Sequence, residues 1–183
     1  MDKKMISVKS VVAIGIGSAL MFVLMRFVAV PTGVPNTNLN LGIALLSVFA
    51  AIFGPLAGFL IGFIGHTLTD LTWGSVWWTW VIADAVYGCA VGIFWKSYKI
   101  DENGFGLQQA VIFNGIQIFA NLLAWAVIAP TLDILIYKEP ADKVYLQGLV
   151  AGSFNIAVVL ILGTLLVLGY SKTGSKERSL KEE

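Results

Sequence analysis

Residues 54–66 read Gly-Pro-Leu-Ala-Gly-Phe-Leu-Ile-Gly-Phe-Ile-Gly-His, with a glycine at every fourth position from Gly54 to Gly62. Residues four apart lie on one face of an α-helix. A helix face made of glycine lets a neighbouring backbone approach closely, which is how apolar helices associate in lipid. The segment therefore predicts a membrane-embedded helix that packs tightly against another helix of its own bundle.

The composition supports a membrane protein. The chain has 183 residues, of which 57% are apolar and 13% charged, and its net charge is +1. Soluble domains carry roughly 45–50% apolar and about 25% charged residues. These proportions exclude an ordinary soluble enzyme, a disordered chain and a nucleic-acid-binding protein, and predict an integral membrane protein embedded in the lipid bilayer.

The inventory of reactive residues is too small for an enzyme. One cysteine, Cys89, excludes an internal disulfide, and one histidine, His66, excludes a histidine-rich metal site. His66 and Asp70 lie four residues apart, but two ligands do not make a metal site, so we predict a structural pair and no metal. The sequence lacks a glycine-rich phosphate loop with a lysine, so we predict that the chain hydrolyses no ATP itself.

Six stretches are candidate membrane-spanning helices: 8–30, 39–53, 54–71, 76–95, 107–129 and 146–170. The prolines at 31, 35, 130 and 140 fall at their predicted ends. Only Gly54 and Pro55 separate the second stretch from the third, which form either a tight hairpin or a re-entrant pair. The sequence predicts an all-α fold, with a six-helix transmembrane domain at 1–171 and a charged, disordered cytoplasmic tail at 172–183.

Lysine and arginine positions predict the orientation of the bundle. With six spans both termini share one side, which holds nine basic residues: Lys3, Lys4, Lys9, Lys96, Lys99, Lys172, Lys176, Arg178 and Lys181. The other side holds three: Arg26, Lys138 and Lys143. Because basic residues concentrate in cytoplasmic loops, we expect both termini in the cytoplasm and a multi-pass protein of the cell membrane.

Polar side chains within the last four spans concentrate toward the outer side. Asp84, Asn121 and Asn155 fall about 10–14 Å below the outer surface, at ~1.5 Å per residue. Asn114, Gln117, Asn121 and Trp125 form one stripe on the fifth span. Because the inner half is nearly free of such groups, the pattern predicts an outward-facing pocket rather than a pore.

Three points remain open from the residues alone. Asp84 is the strongest single candidate for binding, since a buried carboxylate needs a partner, either a ligand or His66. Arg26 either extends to the interface or pairs with Asp70. The segment 72–80 holds four of the six tryptophans, which form either an interfacial belt or a stacking surface for a flat ligand.

The first span carries two pairs of small residues, Ala13 with Gly17 and Gly15 with Ala19, on adjacent faces. Two such pairs exceed what one helix contact needs. We therefore expect one face to pack inside the bundle and the other to meet a separate membrane protein.

Three segments together resemble the substrate-binding S components of energy-coupling factor (ECF) vitamin transporters, in particular an uncharacterised subgroup of the riboflavin-type family. They are Val-Ala-Ile-Gly-Ile-Gly-Ser-Ala-Leu-Met-Phe-Val-Leu at 12–24, Pro-Asn-Thr-Asn at 35–38, and the segment 53–66. The resemblance implies six helices, cytoplasmic termini and a vitamin pocket near the outer face. It also implies three partners: one transmembrane coupling subunit (EcfT-like) and two cytoplasmic ATPases (EcfA-like) that bind ATP and magnesium, with no cofactor in this chain.

The resemblance also assigns residues. It places the coupling-subunit contact on Ala13 and Gly17 or on Gly15 and Ala19. It places the pocket in the first outer loop and the outer halves of the last three helices. With the polar pattern, the candidate substrate-binding residues are Asn36, Asn38, Trp77, Trp80, Asp84, Gln117, Asn121, Trp125 and Asn155.

The preferred hypothesis is a transport subunit that captures a small, flat vitamin or precursor such as hydroxymethylpyrimidine, pyridoxine or riboflavin. The alternative is a membrane-embedded scaffold or assembly protein without a small-molecule ligand. A third hypothesis is a stand-alone facilitator.

Overall fold

The computed structural model describes residues 7–100 and 105–179, the last six of these without side chains. Within that part, the chain forms six helices, as predicted. They are α1 (Val8–Phe27), α2 (Gly42–Phe53), α3 (Pro55–Leu71), α4 (Trp78–Ile93), α5 (Leu107–Tyr137) and α6 (141–179). Two short strands, β1 (Val30–Pro31) and β2 (Asn38–Leu39), pair antiparallel between α1 and α2, and a 3-10 helix, Trp95–Tyr98, follows α4.

The helices differ in length. By length and composition α1, α5 and α6 can each cross a membrane, whereas α2, α3 and α4 have 12, 17 and 16 residues. Of the basic residues used for the orientation, Lys3, Lys4 and Lys181 lie outside the described residues, as do the side chains of Lys176 and Arg178.

The glycine seam packs inside the bundle, as the sequence predicted. A Cβ atom at Gly58 would overlap the carbonyl oxygen of Gly88 on α4, and one at Gly62 would lie 2.5 Å from the carbonyl oxygen of Asp84. The backbones of α3 and α4 are thus in direct contact, which only residues without a side chain permit.

The connection between α2 and α3 is a tight hairpin. Gly54 alone separates the two helices, with φ +86°, a backbone conformation that residues with a side chain rarely adopt. Pro55 then occupies the first position of α3, where its missing N–H leaves no helical hydrogen bond unmade. Ala50 and Gly58, each four residues from Gly54, face each other across the hairpin, and a Cβ atom at Gly58 would lie 2.8 Å from the Cβ atom of Ala50.

Helix α5 extends eight residues beyond the predicted end at 129. The π-helical segment Leu122–Ile128 widens the helix just before Pro130, and the helix continues through the proline to Tyr137. A wider turn accommodates a proline ring that would break a regular α-helix. Because α6 begins at Ala141 rather than near 146, only residues 138–140 join the two helices.

Other boundaries also shift. Helix α1 ends at Phe27 because the next residues turn into β1, and α2 begins at Gly42 because Asn38 and Leu39 form β2. At the carboxyl end, α6 continues to Ser179, so the disorder predicted from residue 172 is wrong as far as 179; residues 180–183 lie outside the described residues.

The two small-residue pairs on α1 face different surroundings. Ala13 and Gly17 are buried, and a Cβ atom at Gly17 would lie 2.7 Å from Cδ1 of Ile61 on α3. Gly15 and Ala19 are exposed, and a Cβ atom at Gly15 would meet nothing within 4 Å. The first pair therefore belongs to the interior of the bundle, whereas the second lies on its outer surface.

We expect Gly58→Ala to lower the free energy of unfolding by about 1–3 kcal/mol, because the new methyl group forces the α3 and α4 backbones apart. The measurement is thermal or denaturant unfolding in detergent. Gly115→Ala is the control, since a Cβ atom there meets nothing within 4 Å. Equal stability of the two variants would contradict the close backbone contact.

Candidate functional site

A cavity of about 430 Å³ opens at the end of the bundle opposite the start of α1 and the end of α6. It lies where α1, α3 and α5 end and where α4 and α6 begin, with the β1–β2 loop beside it. The lining residues are Met25, Asn36, Asn38, Asn40, His66, Thr69, Asp70, Trp73, Trp77, Trp80, Trp125, Asp133, Glu139, Lys143, Val144, Gln147, Ala151 and Asn155.

Asp133 holds two tryptophans of the cavity wall. Its carboxylate accepts hydrogen bonds from Nε1 of Trp77 at 2.8 Å, from Nε1 of Trp80 at 2.7 Å and from the hydroxyl of Thr79. The side chain of Asp133 is buried. One carboxylate on α5 therefore fixes the orientation of both indole rings at the start of α4.

The tryptophan rings also contact other aromatic rings. Trp80 and Trp125 meet edge to face with ring centroids 5.1 Å apart, and Trp77 lies 4.5 Å from the ring of Tyr137. The predicted aromatic residues Trp77, Trp80 and Trp125 thus line one cavity together with Trp73. Aromatic faces of this kind suit a flat ligand.

His66 links the cavity to the buried carboxylate of Asp84. Nδ1 of His66 lies 2.7 Å from Oδ2 of Asp84, and Nε2 lies 3.5 Å from Oδ1 of Asp70. Asp84 is therefore the partner of His66 and does not itself line the cavity, which departs from its predicted direct role. His66 and Asp70 form the predicted pair, but both face the cavity.

Three predicted asparagines face the cavity with their amides free. Asn36, Asn38 and Asn155 line it, and within the described residues their side chains form no hydrogen bond. The indole Nε1 of Trp125 is buried without a hydrogen-bond partner in the described part of the chain. Asn36 and Asn38 are exposed, whereas Asn155 and Trp125 are buried. Because buried polar groups are normally hydrogen-bonded, the unpaired groups of Asn155 and Trp125 are the more unusual ones.

Gln117 and Asn121, in contrast, are not among the lining residues. The amide of Asn121 donates to Oε1 of Gln117 at 3.0 Å and to its backbone carbonyl oxygen at 3.0 Å. Nε2 of Gln117 in turn lies 3.3 Å from Oδ1 of Asn114. The predicted polar stripe on α5 is therefore mostly an internal hydrogen-bond network, and of its members only Trp125 reaches the cavity.

Contacts at the rim hold the outer segments in place. Nε2 of Gln147 donates to the carbonyl oxygen of Pro35 at 2.8 Å, which ties the β1–β2 loop to α6. Arg26 stacks over Trp73 at 4.3 Å from the ring centre and, in the part of the chain described here, forms no ion pair with Asp70. Asp70 instead accepts the backbone N–H of Trp77 at 2.9 Å.

Comparison with known proteins assigns the family. The family described as "ECF-type riboflavin transporter, S component" matches residues 5–172. The chain belongs to this family. The S component is thus a membrane protein and a substrate-binding subunit of a vitamin-type transporter rather than an enzyme, and the family implies assembly with EcfT- and EcfA-type partners in a membrane complex.

Several relatives match this chain over its full length. A UPF0397 protein of Clostridium perfringens (strain SM101 / Type A) is 52% identical over 100% of both chains. One of Lacticaseibacillus casei (strain BL23) is 46% identical over 100% of this chain and 98% of its own. One of Staphylococcus aureus (strain MRSA252) is 48% identical over 100% of both. No solved structure matches the chain.

Sequence reasoning missed part of the S component's cavity. Asp133 is absent from the predicted site because the sequence predicts that the fifth helix ends before Pro130, which places residue 133 in a loop. A signal was present, since Asp133 is the single charged residue between Ala129 and Tyr137 in an otherwise apolar segment. The other lining residues missed as candidates include Asn40, His66, Asp70, Trp73, Glu139, Lys143 and Gln147.

We expect Asp133→Ala to destabilise the S component by about 3 kcal/mol or more, because it leaves two indole N–H groups and one hydroxyl without their acceptor. Thermal unfolding in detergent measures the loss. Asp142→Ala is the matched control, because Asp142 is exposed near the start of α6 and its removal should cost less than about 0.5 kcal/mol. Similar midpoints for both variants would refute the tethering role of Asp133.

Proposed function

We propose that this S component captures a small, flat, water-soluble vitamin or precursor outside the cell and delivers it through an ATP-driven coupling module. Hydroxymethylpyrimidine, pyridoxine and riboflavin-like compounds are the candidate ligands. Both termini then lie in the cytoplasm, and the chain is a multi-pass protein of the cell membrane.

The observation that carries the proposal is an open cavity with tryptophan walls and unpaired polar groups. A cavity of about 430 Å³ is within the range of small-molecule sites, roughly 300–1,000 Å³. Its walls provide aromatic surface from Trp77, Trp80 and Trp125, while Asn155 and the β1–β2 loop asparagines provide hydrogen bonds. A ligand in the cavity would supply partners for the side chain of Asn155, which is buried and forms no hydrogen bond within the described residues.

The described residues suggest a division of roles in binding. The rings stack on the ligand, the free amides fix its orientation, and His66, held by Asp84 and Asp70, forms part of the wall. Gln117 and Asn121 act through the packing of α5 rather than by contact. When the partner ATPases bind ATP and magnesium, they supply the driving force, and the whole bundle topples within the coupling subunit.

The coupling subunit is proposed to dock on the exposed pair Gly15 and Ala19. These residues interrupt an exposed apolar face of α1 that includes Val12, Ile16 and Val23. A partner helix can approach the α1 backbone most closely at this point. Ala13 and Gly17, the other predicted pair, already pack against the interior.

We expect purified protein to bind at least one candidate vitamin with quenching of tryptophan fluorescence, and Asn155→Ala to weaken that binding by about tenfold through loss of one buried hydrogen bond. Asn114→Ala is the control, since its amide bonds Thr164 away from the cavity. If none of the candidate vitamins quenches the fluorescence, the result favours the alternative of a membrane scaffold without a ligand. Uptake by this chain alone, without ATPase partners, favours the facilitator.

We also expect Gly15→Leu to abolish co-purification with the coupling subunit while ligand binding persists, because the added side chain blocks helix approach at a position where a Cβ atom meets nothing within 4 Å. Pull-down from membranes that contain all subunits measures the association. Leu146→Ala is the control, since it alters another exposed apolar residue on a different helix. Unimpaired association of Gly15→Leu would place the docking surface elsewhere.

A further inference from the structure

We infer that the cavity discriminates against anions, so that it binds its substrate in a neutral or positively charged, unphosphorylated form. The inference rests on the proposed function, because it concerns the ligand of the same cavity. It follows from the charges in and behind the cavity wall and from one unpaired hydrogen-bond donor.

The first source of negative charge is the group His66, Asp70 and Asp84. His66 lies between the two carboxylates, at 2.7 Å from Asp84 and 3.5 Å from Asp70. One imidazole carries at most one positive charge, so it offsets at most one of the two carboxylates. Asp84 lies behind His66, whereas Asp70 lines the cavity and presents its carboxylate to it.

The second source is Asp133. Its hydrogen-bond partners are two indole N–H groups and one hydroxyl, all of them uncharged. These donors stabilise the carboxylate but do not cancel its charge. Since Asp133 is 1% exposed, bulk water screens this charge poorly.

The positive charges near the cavity are either paired with a carboxylate or carried by residues that do not line it. Among the described lining residues Lys143 is the one lysine, and its Nζ lies 2.6 Å from Oε2 of Glu139, which also lines the cavity. Arg26 stacks on Trp73, and Lys138 donates to the carbonyl oxygen of Leu135. Neither of them lines the cavity. The described lining residues carry three carboxylates, on Asp70, Asp133 and Glu139, against at most two positive charges, on Lys143 and His66. A phosphate group inside would therefore meet net negative charge.

The unpaired donor indicates what the ligand supplies instead. Trp125 is 4% exposed and lines the cavity, and its Nε1 has no partner within the described residues. An uncharged acceptor, such as a ring nitrogen or carbonyl oxygen, satisfies this donor. Asp70, on a different wall, accepts from hydroxyl, amino or protonated ring groups. The ligand class is therefore a heteroaromatic alcohol or amine rather than its phosphate ester.

The experiment compares matched alcohol and phosphate pairs on the purified full-length protein. The probes are pyridoxine and pyridoxine 5′-phosphate, hydroxymethylpyrimidine and its monophosphate, and riboflavin and flavin mononucleotide. We expect the alcohol of the bound pair to have a dissociation constant about 100-fold or more below that of its ester, through like-charge repulsion. Tryptophan quenching gives both constants.

Two variants assign the discrimination to the named charges. Asp70→Asn keeps an acceptor for the backbone N–H of Trp77 and removes one negative charge. It should therefore lower the ratio of the ester's dissociation constant to the alcohol's by about tenfold. Glu139→Gln should also lower this ratio, because it removes the carboxylate that pairs with Lys143 and leaves the lysine free to attract a phosphate. Asp142→Asn, which removes an exposed carboxylate outside the cavity lining, should leave the ratio unchanged.

An ester that binds as tightly as its alcohol, or a ratio that Asp70→Asn leaves unchanged, overturns the inference while the transport proposal stands. Mass spectrometry of any small molecule that co-purifies provides a second test: a neutral or cationic compound supports the inference, and a phosphate or carboxylate overturns it. If no probe binds and nothing co-purifies, both the proposed function and the inference fail.

Discussion

The structure depends on direct contact between the backbones of α3 and α4. Gly58 lies against Gly88, and Gly62 lies against the backbone of Asp84. One turn beyond Gly62, His66 is thereby brought to the side chain of Asp84, and the end of α3 places Asp70 beside the start of α4. A wider separation of these helices would break the histidine–carboxylate contact and displace the tryptophans, so a seam without polar side chains determines the geometry of a polar cavity.

The sequence predicted the features that follow from local pattern. Glycine spacing identified the seam, apolar stretches identified six helices, and the concentration of polar groups predicted a cavity at one end of the bundle. Asn36, Asn38 and Asn155, with Trp77, Trp80 and Trp125, do line that cavity. Spacing could not show which polar side chains bind each other: the amide of Asn121 donates to Gln117 on the same helix face, and Asp84 lies behind His66. Such pairing depends on helix rotation, which one sequence does not determine.

The predicted helix boundaries depart most from the structure at Pro130, where α5 continues instead of ending. A proline usually ends a helix because its ring clashes with the preceding turn and it donates no hydrogen bond. Here the π-helical turn Leu122–Ile128 precedes it, and Gly148 lets α6 approach the carbonyl oxygen of Trp125. The helix therefore continues and carries Asp133 to the tryptophans. The proline rule failed between two π-helical segments, Leu122–Ile128 and Asp133–Tyr137, in the part of α5 that lines the cavity.

The unequal helix lengths have a consequence for the surrounding lipid. At ~1.5 Å per residue, α3 and α4 are about 25 Å long, whereas the hydrocarbon core of a bilayer is about 30 Å thick. Helices α5 and α6 exceed that thickness. The apolar surface that faces lipid is therefore shorter along α3 and α4 than along α5 and α6. Mismatch of this kind is relieved by thinning the lipid beside the short helices or by tilting the body, so the shape of this protein itself favours an inclined position in the membrane.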